Sequence, residues 1–131
     1  MYLLDTNTCI HFLNGSSIKV RQQLQDQTPS EIALCSVVKA KLLYGARNSQ
    51  KVEANLQRLK QFFAPLNSLP FDDRCAEEYA QIRADLTRQG KLIGPNDLMI
   101  AAIARAHDAI LVTNNTAEFQ RVANLRLVDW M

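Results

Sequence analysis

The sequence predicts an α/β protein: a three-layer α/β/α sandwich around a central, mostly parallel sheet of four or five strands. Short apolar runs alternate along the chain with longer segments in which apolar residues recur at helical spacing. Turn-forming residues separate these segments, and strands that alternate with helices favour parallel pairing through right-handed crossovers. The length of 131 residues suits a single domain, residues 1–131, with one core.

Five apolar runs are candidate strands. The clearest is AILVT, and EIALC has the continuous apolar character of a buried strand. The segment after Pro65 is a weak strand, and the last run is a candidate edge strand. The five runs are residues 2–4, 31–35, 66–71, 109–113 and 125–128.

Helical patterns fill the intervals between these runs. Thr6, Asn7 and Thr8 offer N-cap chemistry for a short first helix, and Ser36 is the expected cap of the helix that carries KLLYGA. The segment LMIAAIARAH is apolar almost all round, which predicts the most buried helix. The expected helices are residues 10–13, 17–27, 37–47, 51–63, 73–89, 97–107 and 114–122.

Composition sets limits on function. A formal net charge of +2 permits a nucleic-acid partner without arguing for one. No run of about 18 apolar residues predicts a membrane span, and the N-terminus lacks the features of a signal peptide. Cys9, Cys35 and Cys75 are odd in number and widely spaced, which predicts reduced, mostly buried thiols in a cytoplasmic protein. Neither a CxxC motif nor a Cys/His cluster indicates zinc.

Polar side chains follow the candidate strands. Asp5 ends the first and Ser36 the second, Thr113 ends the clearest strand, and Asp97 opens the most apolar helix. Because ligands of parallel sheets bind at the carboxyl ends of the strands, these side chains are expected to share one edge. Carboxylates crowded there repel one another unless a cation neutralises them, and Mg²⁺ best suits oxygen ligands.

Five segments carry a family resemblance. In order and spacing, LLDTN, SVVKAKLLYGA, GPNDLMIAAIA, LVTNNTAEF and the terminal LRLVDW resemble the VapC-type toxins of the PIN-domain ribonuclease family. The resemblance implies a PIN-like fold and an endoribonuclease that uses Mg²⁺ or Mn²⁺. It also implies a VapB-like antitoxin as partner and a homodimer. Several relatives whose chains end in a similar segment cut tRNA, and the resemblance implies the anticodon region of initiator tRNA as the expected substrate.

The resemblance assigns roles to individual residues. Asp5 and Asp97 match metal-binding acids, and Asn115 stands where many PIN domains have a further aspartate, which leaves Glu118 as the nearest carboxylate. The supporting positions are Thr6, Asn7, Ser36 and Thr113. Each acid also has a simpler interpretation: Asp5 as a helix cap, Asp97 as a favoured acid in a first helical turn, and Glu118, more simply, as a surface residue.

Position 41 departs from the family pattern, which has a metal-binding glutamate where this chain has Lys41. The exchange removes an oxygen ligand and places an ammonium beside the expected cation. The sequence therefore predicts a folded but metal-poor site of weak or absent activity, in which Lys41 pairs with Asp5 or Asp97. A natural variant and an introduced inactivating exchange are both compatible with this residue.

Further residues are candidates for partner contacts. Arg83, Arg88 and Lys91 are candidates for RNA binding, and residues 42–44 for an antitoxin groove, with a solvated surface and core packing as the respective alternatives. Lys41 itself can hold a phosphate as a point charge. Neither histidine is needed for the hydrolysis that the resemblance implies, in which metal ions position a water and neutralise charge at the phosphate.

Three functions compete. The first is a VapC-like endoribonuclease toxin or its disabled form, and the second is a non-catalytic PIN module that binds RNA or a protein. The third, a receiver-like regulator, needs a pair of acids at the end of one strand, whereas the first run ends in the single acid Asp5.

Overall fold

The computed structural model describes residues 1–131 and contains one five-stranded sheet in the order β3-β2-β1-β4-β5. All four strand pairs are parallel, and the central strand places Leu3 opposite Ala33 on one side and Leu111 on the other. The α/β fold with a parallel sheet is therefore confirmed. The strands are β1 (Tyr2–Leu4), β2 (Ile32–Cys35), β3 (Asn67–Leu69), β4 (Ile110–Val112) and β5 (Arg126–Val128).

Seven α-helices and one 3₁₀ turn (Pro29–Glu31) connect the strands. Their bounds lie within a few residues of the predicted ones, with the largest difference at the first helix, which begins at Thr6 rather than Ile10. The helices are α1 (Thr6–Asn14), α2 (Ile18–Gln25), α3 (Ser36–Arg47), α4 (Val52–Phe63), α5 (Asp73–Gln89), α6 (Pro95–Ala106) and α7 (Thr116–Phe119).

Side-chain caps explain where several helices begin. Asp5 caps α1, Ser17 caps α2 and Asp72 caps α5, each accepting a hydrogen bond from a backbone N–H of the first turn. The prediction that Ser36 caps α3 is wrong, because Ser36 is already helical and Cys35 occupies the cap position without a side-chain bond. Likewise the Thr6–Thr8 segment lies inside α1, since Asp5 supplies the cap one residue earlier.

One cluster of 29 buried apolar residues forms the core between the sheet and its helices. The central strands β1, β2 and β4 contribute fully buried side chains, and α6 buries seven of its twelve residues. Helix α6 is thus the most buried helix, as its sequence predicts. Burial of α6 begins at Leu98, directly after Asp97 in its first turn.

The three cysteines are free and buried, which confirms the prediction of reduced thiols. Burial raises the pKa of each thiol, so all three are poor nucleophiles in this environment. No helix combines the length and apolar character that crossing a bilayer requires.

Candidate active site

Asp5 lies at the carboxyl edge of the sheet and is fixed from three directions. Its backbone N–H donates to the Val112 carbonyl across the β1–β4 pair, at 2.9 Å. One carboxylate oxygen accepts from the Thr6 N–H at 2.7 Å, and the other accepts from the Thr113 hydroxyl at 2.8 Å. The side chain is only 6% exposed. Asp5 therefore both caps α1 and presents a carboxylate of defined orientation.

Thr113 connects Asp5 to the loop that precedes α7. Its hydroxyl accepts from the Asn115 N–H at 3.0 Å while it donates to Asp5. The Asn115 side-chain amide in turn donates to a carboxylate oxygen of Glu118 at 2.6 Å. A continuous chain of hydrogen bonds thus runs from Asp5 to Glu118.

Asp97 completes the acidic group from the first turn of α6. It is half-buried, and its carboxyl lies within hydrogen-bonding reach of the Glu118 carboxyl. Desolvation, the Glu118 carboxyl and the charge of Asp5 raise the pKa of Asp97 to about 6, while the charge of Lys41 acts in the opposite direction. The surface interpretation of Glu118 does not describe its position, because this residue is half-buried against Asp97.

Lys41 reaches the same region from α3 and is half-buried. The predicted ion pair with Asp5 or Asp97 is wrong, because none of the salt bridges within 4.0 Å includes Lys41. Lys41 lines two clefts, of about 300 Å³ and about 440 Å³. Its charge nevertheless acts on Asp97.

The supporting residues divide into two groups. Thr6 and Thr113 are buried beside Asp5, and the buried Thr6 hydroxyl has no hydrogen-bond partner in the protein. Asn7 and Ser36 are exposed. Ser36 lines the larger of the two Lys41 clefts, between α3 and the start of α6.

The donor set fits a hard divalent cation. Asp5, Asp97 and Glu118 offer carboxylate oxygens that repel one another without a cation, as the raised pKa of Asp97 indicates. Their ligand atoms do not all lie within 4.8 Å of one another, so these side chains would have to draw together, or bind in part through water, to share one Mg²⁺. Lys41 is the one residue of the group whose charge opposes binding of the ion.

The candidate RNA-binding residues lie at the C-terminal part of α5 and just beyond it. All three are exposed, but the Arg83 guanidinium donates to the Tyr79 hydroxyl and Arg88 forms an ion pair with Asp85. Lys91 forms no ion pair within 4.0 Å.

Two features of the molecule are not evident from the sequence. The Glu118–Asp97 contact depends on how α7 packs beside α6. A second cluster, formed by Asp72, Cys75 and His107, joins residues that no local motif connects.

Comparison with known proteins assigns the family. The PIN domain model matches residues 2–125. A tRNA(fMet)-specific endonuclease VapC from Shigella flexneri is 41% identical over 129 residues, which is 98% of this chain and 97% of that protein. The chain belongs to the VapC branch of the PIN-domain family. Ribonuclease VapC2 from Rickettsia felis is 39% identical over 131 residues, 99% of this chain and 98% of its own length.

Solved VapC structures agree with this assignment. The VapBC2 complex of Rickettsia felis bound to a promoter DNA fragment superposes with a TM-score of 0.92 at 38% identity, covering 99% of this chain and 98% of that one. The DNA-bound VapBC of Salmonella typhimurium gives a TM-score of 0.93 at 36% identity with the same coverage. The PIN fold and the kinship to toxin–antitoxin ribonucleases are therefore established for this VapC-type chain.

Proposed function

We propose that this chain is a Mg²⁺- or Mn²⁺-dependent endoribonuclease toxin that acts on tRNA, with the anticodon region of initiator tRNA as its substrate, and that Lys41 weakens it. The observation that carries the proposal is the convergence of Asp5, Asp97 and Glu118 at one sheet edge, where burial, the Glu118 carboxyl and the charge of Asp5 raise the pKa of Asp97. The tRNA(fMet)-specific activity named for the Shigella flexneri relative supports this choice of substrate.

Asp5, Asp97 and Glu118 are the residues that would hold the ion. When bound, it would supply positive charge beside the scissile phosphate and promote ionisation of a water. The protein contributes orientation: Thr113 and the Thr6 N–H fix both oxygens of Asp5, and Asn115 holds Glu118 against Asp97. These groups are placed before substrate binds, so little reorganisation is required in the transition state.

Lys41 opposes this function electrostatically. A unit charge pair about 4 Å apart near a protein surface is worth about 4 kcal/mol, and Lys41 lies beyond 4.0 Å from each carboxylate, so each pairwise term is smaller. A glutamate at this position would replace a repulsion by an attraction for the cation. We therefore infer a large difference in metal affinity between the two residues.

The test compares the protein with its Lys41→Glu form, using Lys41→Gln as the matched control that removes the charge without adding a carboxylate ligand. Calorimetry with Mg²⁺ and Mn²⁺, and cleavage of a tRNA panel that includes initiator tRNA, are the measurements. We expect the glutamate form to bind metal at least tenfold more tightly and to cut initiator tRNA, with the glutamine form intermediate. Undiminished cleavage by the unsubstituted protein would refute this account of the site.

A VapB-like antitoxin is the proposed protein partner, because similar structures are VapBC complexes. The proposed docking groove lies between α1, α3 and α4, where Ile10, Leu13 and Leu42 line the cleft that Lys41 enters. We expect Ile10→Asp to weaken antitoxin binding at least tenfold, whereas Ile18→Asp, an exposed site outside the groove, leaves it unchanged. Equal affinities of the two variants in calorimetry would exclude this groove.

The proposal also includes the homodimer and the cytoplasmic setting that the resemblance implies. Sedimentation of the chain alone tests for the homodimer, and a monomer at micromolar concentration would contradict it. The three free thiols support the cytoplasmic setting.

A second candidate is a non-catalytic PIN module that binds RNA or a protein. The ammonium of Lys41 at the acidic edge favours it, because this group binds phosphate as a point charge. Inactivity of both the unsubstituted protein and its Lys41→Glu form on every RNA, with retained RNA binding, is the result that selects this function.

A further inference from the structure

A compact cluster of metal-binding side chains lies at the end of α6 away from Asp97. Asp72 is the N-cap of α5, Cys75 lies in the first turn of the same helix, and His107 is the C-cap of α6. A carboxylate oxygen, the Sγ atom and a ring nitrogen of these residues all lie within 4.8 Å of one another. No other group of three or more His, Cys, Asp or Glu side chains in residues 1–131 is as compact.

The cluster is separate from the acidic edge. Asp97 lies in the first turn of α6 and His107 directly follows its last residue. At a rise of about 1.5 Å per residue, the two are about 15 Å apart along the helix axis. The cluster therefore belongs neither to the candidate active site nor to the charges that surround Lys41.

Local structure holds the three groups in position. The Asp72 carboxylate accepts from the Cys75 N–H at 3.1 Å, which places both side chains on one side of the first turn of α5. Cys75 is fully buried, with Sγ 3.7 Å from the Pro70 carbonyl, whereas Asp72 is exposed and His107 half-buried. The thiol is thus closed to solvent, and an ion can reach it only when neighbouring side chains move.

We propose that Asp72, Cys75 and His107 bind Zn²⁺, with water as the fourth ligand. Thiolate, imidazole and carboxylate are the ligands that Zn²⁺ takes, at about 2.0–2.3 Å, so neighbouring ligand atoms in a tetrahedral site are about 3.3–3.8 Å apart. The three ligand atoms, which lie within 4.8 Å of one another, would have to draw closer together to reach this spacing. Mg²⁺ is disfavoured here because it prefers oxygen ligands.

Nearby charges both favour and oppose a cation bound at this cluster. The carbonyl end of α6 is partially negative and favours a cation beside His107. Arg74, whose guanidinium donates to the Ala106 carbonyl at this same helix end, opposes one. On binding, the Cys75 S–H gives its proton to solvent and His107 binds as the neutral ring, so affinity rises with pH. The ion would connect the start of α5 to the end of α6 and stabilise that helix pair.

Titration of the reduced protein with Co²⁺, a spectroscopic substitute for Zn²⁺, tests the site in the presence of excess Mg²⁺. We expect one thiolate-to-Co²⁺ charge-transfer band, a stoichiometry of one, and displacement by Zn²⁺. Cys75→Ser and His107→Ala should each abolish the band and weaken Zn²⁺ binding at least about tenfold. Asp72→Asn keeps an acceptor for the α5 cap and should weaken binding without loss of fold.

Matched controls come from the same chain. Cys9→Ala removes another cysteine and His11→Ala the other histidine, and both should leave the band and the Zn²⁺ affinity unchanged. Asp97→Asn at the acidic edge should leave the band unchanged. Circular dichroism confirms that each variant is folded. Absence of a thiolate band in the unsubstituted protein, or Zn²⁺ binding that survives both Cys75→Ser and His107→Ala, would overturn the proposal whatever the result for ribonuclease activity.

Discussion

Asp5 and Asp97 share one acidic edge, but their surroundings differ. Each oxygen of Asp5 accepts a hydrogen bond, from Thr6 and Thr113, whereas Asp97 faces the carboxylate of Glu118 and the charge of Asp5. Asp5 therefore stabilises the fold as well as offering a ligand to the proposed metal, while Asp97 offers such a ligand at a cost to the metal-free fold. Removing each carboxylate should change stability in opposite directions.

The largest expected effect is at Asp5. Asp5→Ala removes the α1 cap, which costs about 0.5–2 kcal/mol, and leaves the buried Thr113 hydroxyl without its acceptor, which costs about 1–3 kcal/mol. Relief of repulsion on Asp97 offsets part of this loss. We expect a net destabilisation of about 2–3 kcal/mol, measured by urea unfolding with a chelator present.

Asp5→Asn is the matched control for that measurement. It keeps one oxygen acceptor and remains a good helix cap, so its loss should be smaller than that of the alanine variant. Equal stability of Asp5→Ala and the unsubstituted protein would show that the two hydrogen bonds contribute nothing to the fold.

The contrast between Asp5 and Asp97 also shows which contacts of the site the sequence alone predicts. Asp5 and Thr113 follow strands that pair in parallel, so their meeting at one edge follows from the apolar pattern. The contact of Asp97 with Glu118 depends on the packing of one helix beside another, which no local pattern encodes. The prediction of a Lys41 ion pair rests on charge alone, but in the structure Lys41 is half-buried and forms no ion pair within 4.0 Å.

The proposed zinc site at the far end of α6 is a second case of this kind. Asp72 and Cys75 are close in sequence, but His107 reaches them only because α5 and α6 pack side by side. Sequence motifs for zinc recognise ligands at a fixed spacing within one segment. They therefore miss ligands that come from the ends of two different helices.

The second expected effect is smaller and of opposite sign. Asp97→Asn removes a carboxylate whose ionisation is unfavourable in the metal-free fold, so the variant should be more stable than the unsubstituted protein at about pH 7.5. After discounting for solvent screening of this half-buried group, we expect about 1 kcal/mol. Urea unfolding with a chelator measures it, and Glu77→Gln, an exposed acid on α5, is the control that should show no change.

The pH dependence identifies the cause of that gain. The folded-state pKa of Asp97 is about 6 and its ordinary value is 3.8, so the folded protein binds this proton more tightly than the unfolded chain does. The stability cost is therefore complete above about pH 6, shrinks as pH falls from about 6 to about 4, and is absent below that range. The difference in unfolding free energy between Asp97→Asn and the unsubstituted protein should close over the same interval.

That difference should widen at about pH 7.5 in the Lys41→Glu background, because Lys41 is the group whose charge lowers the pKa of Asp97. A difference that is constant from about pH 4 to about pH 7.5 would mean that carboxylate crowding is not its origin.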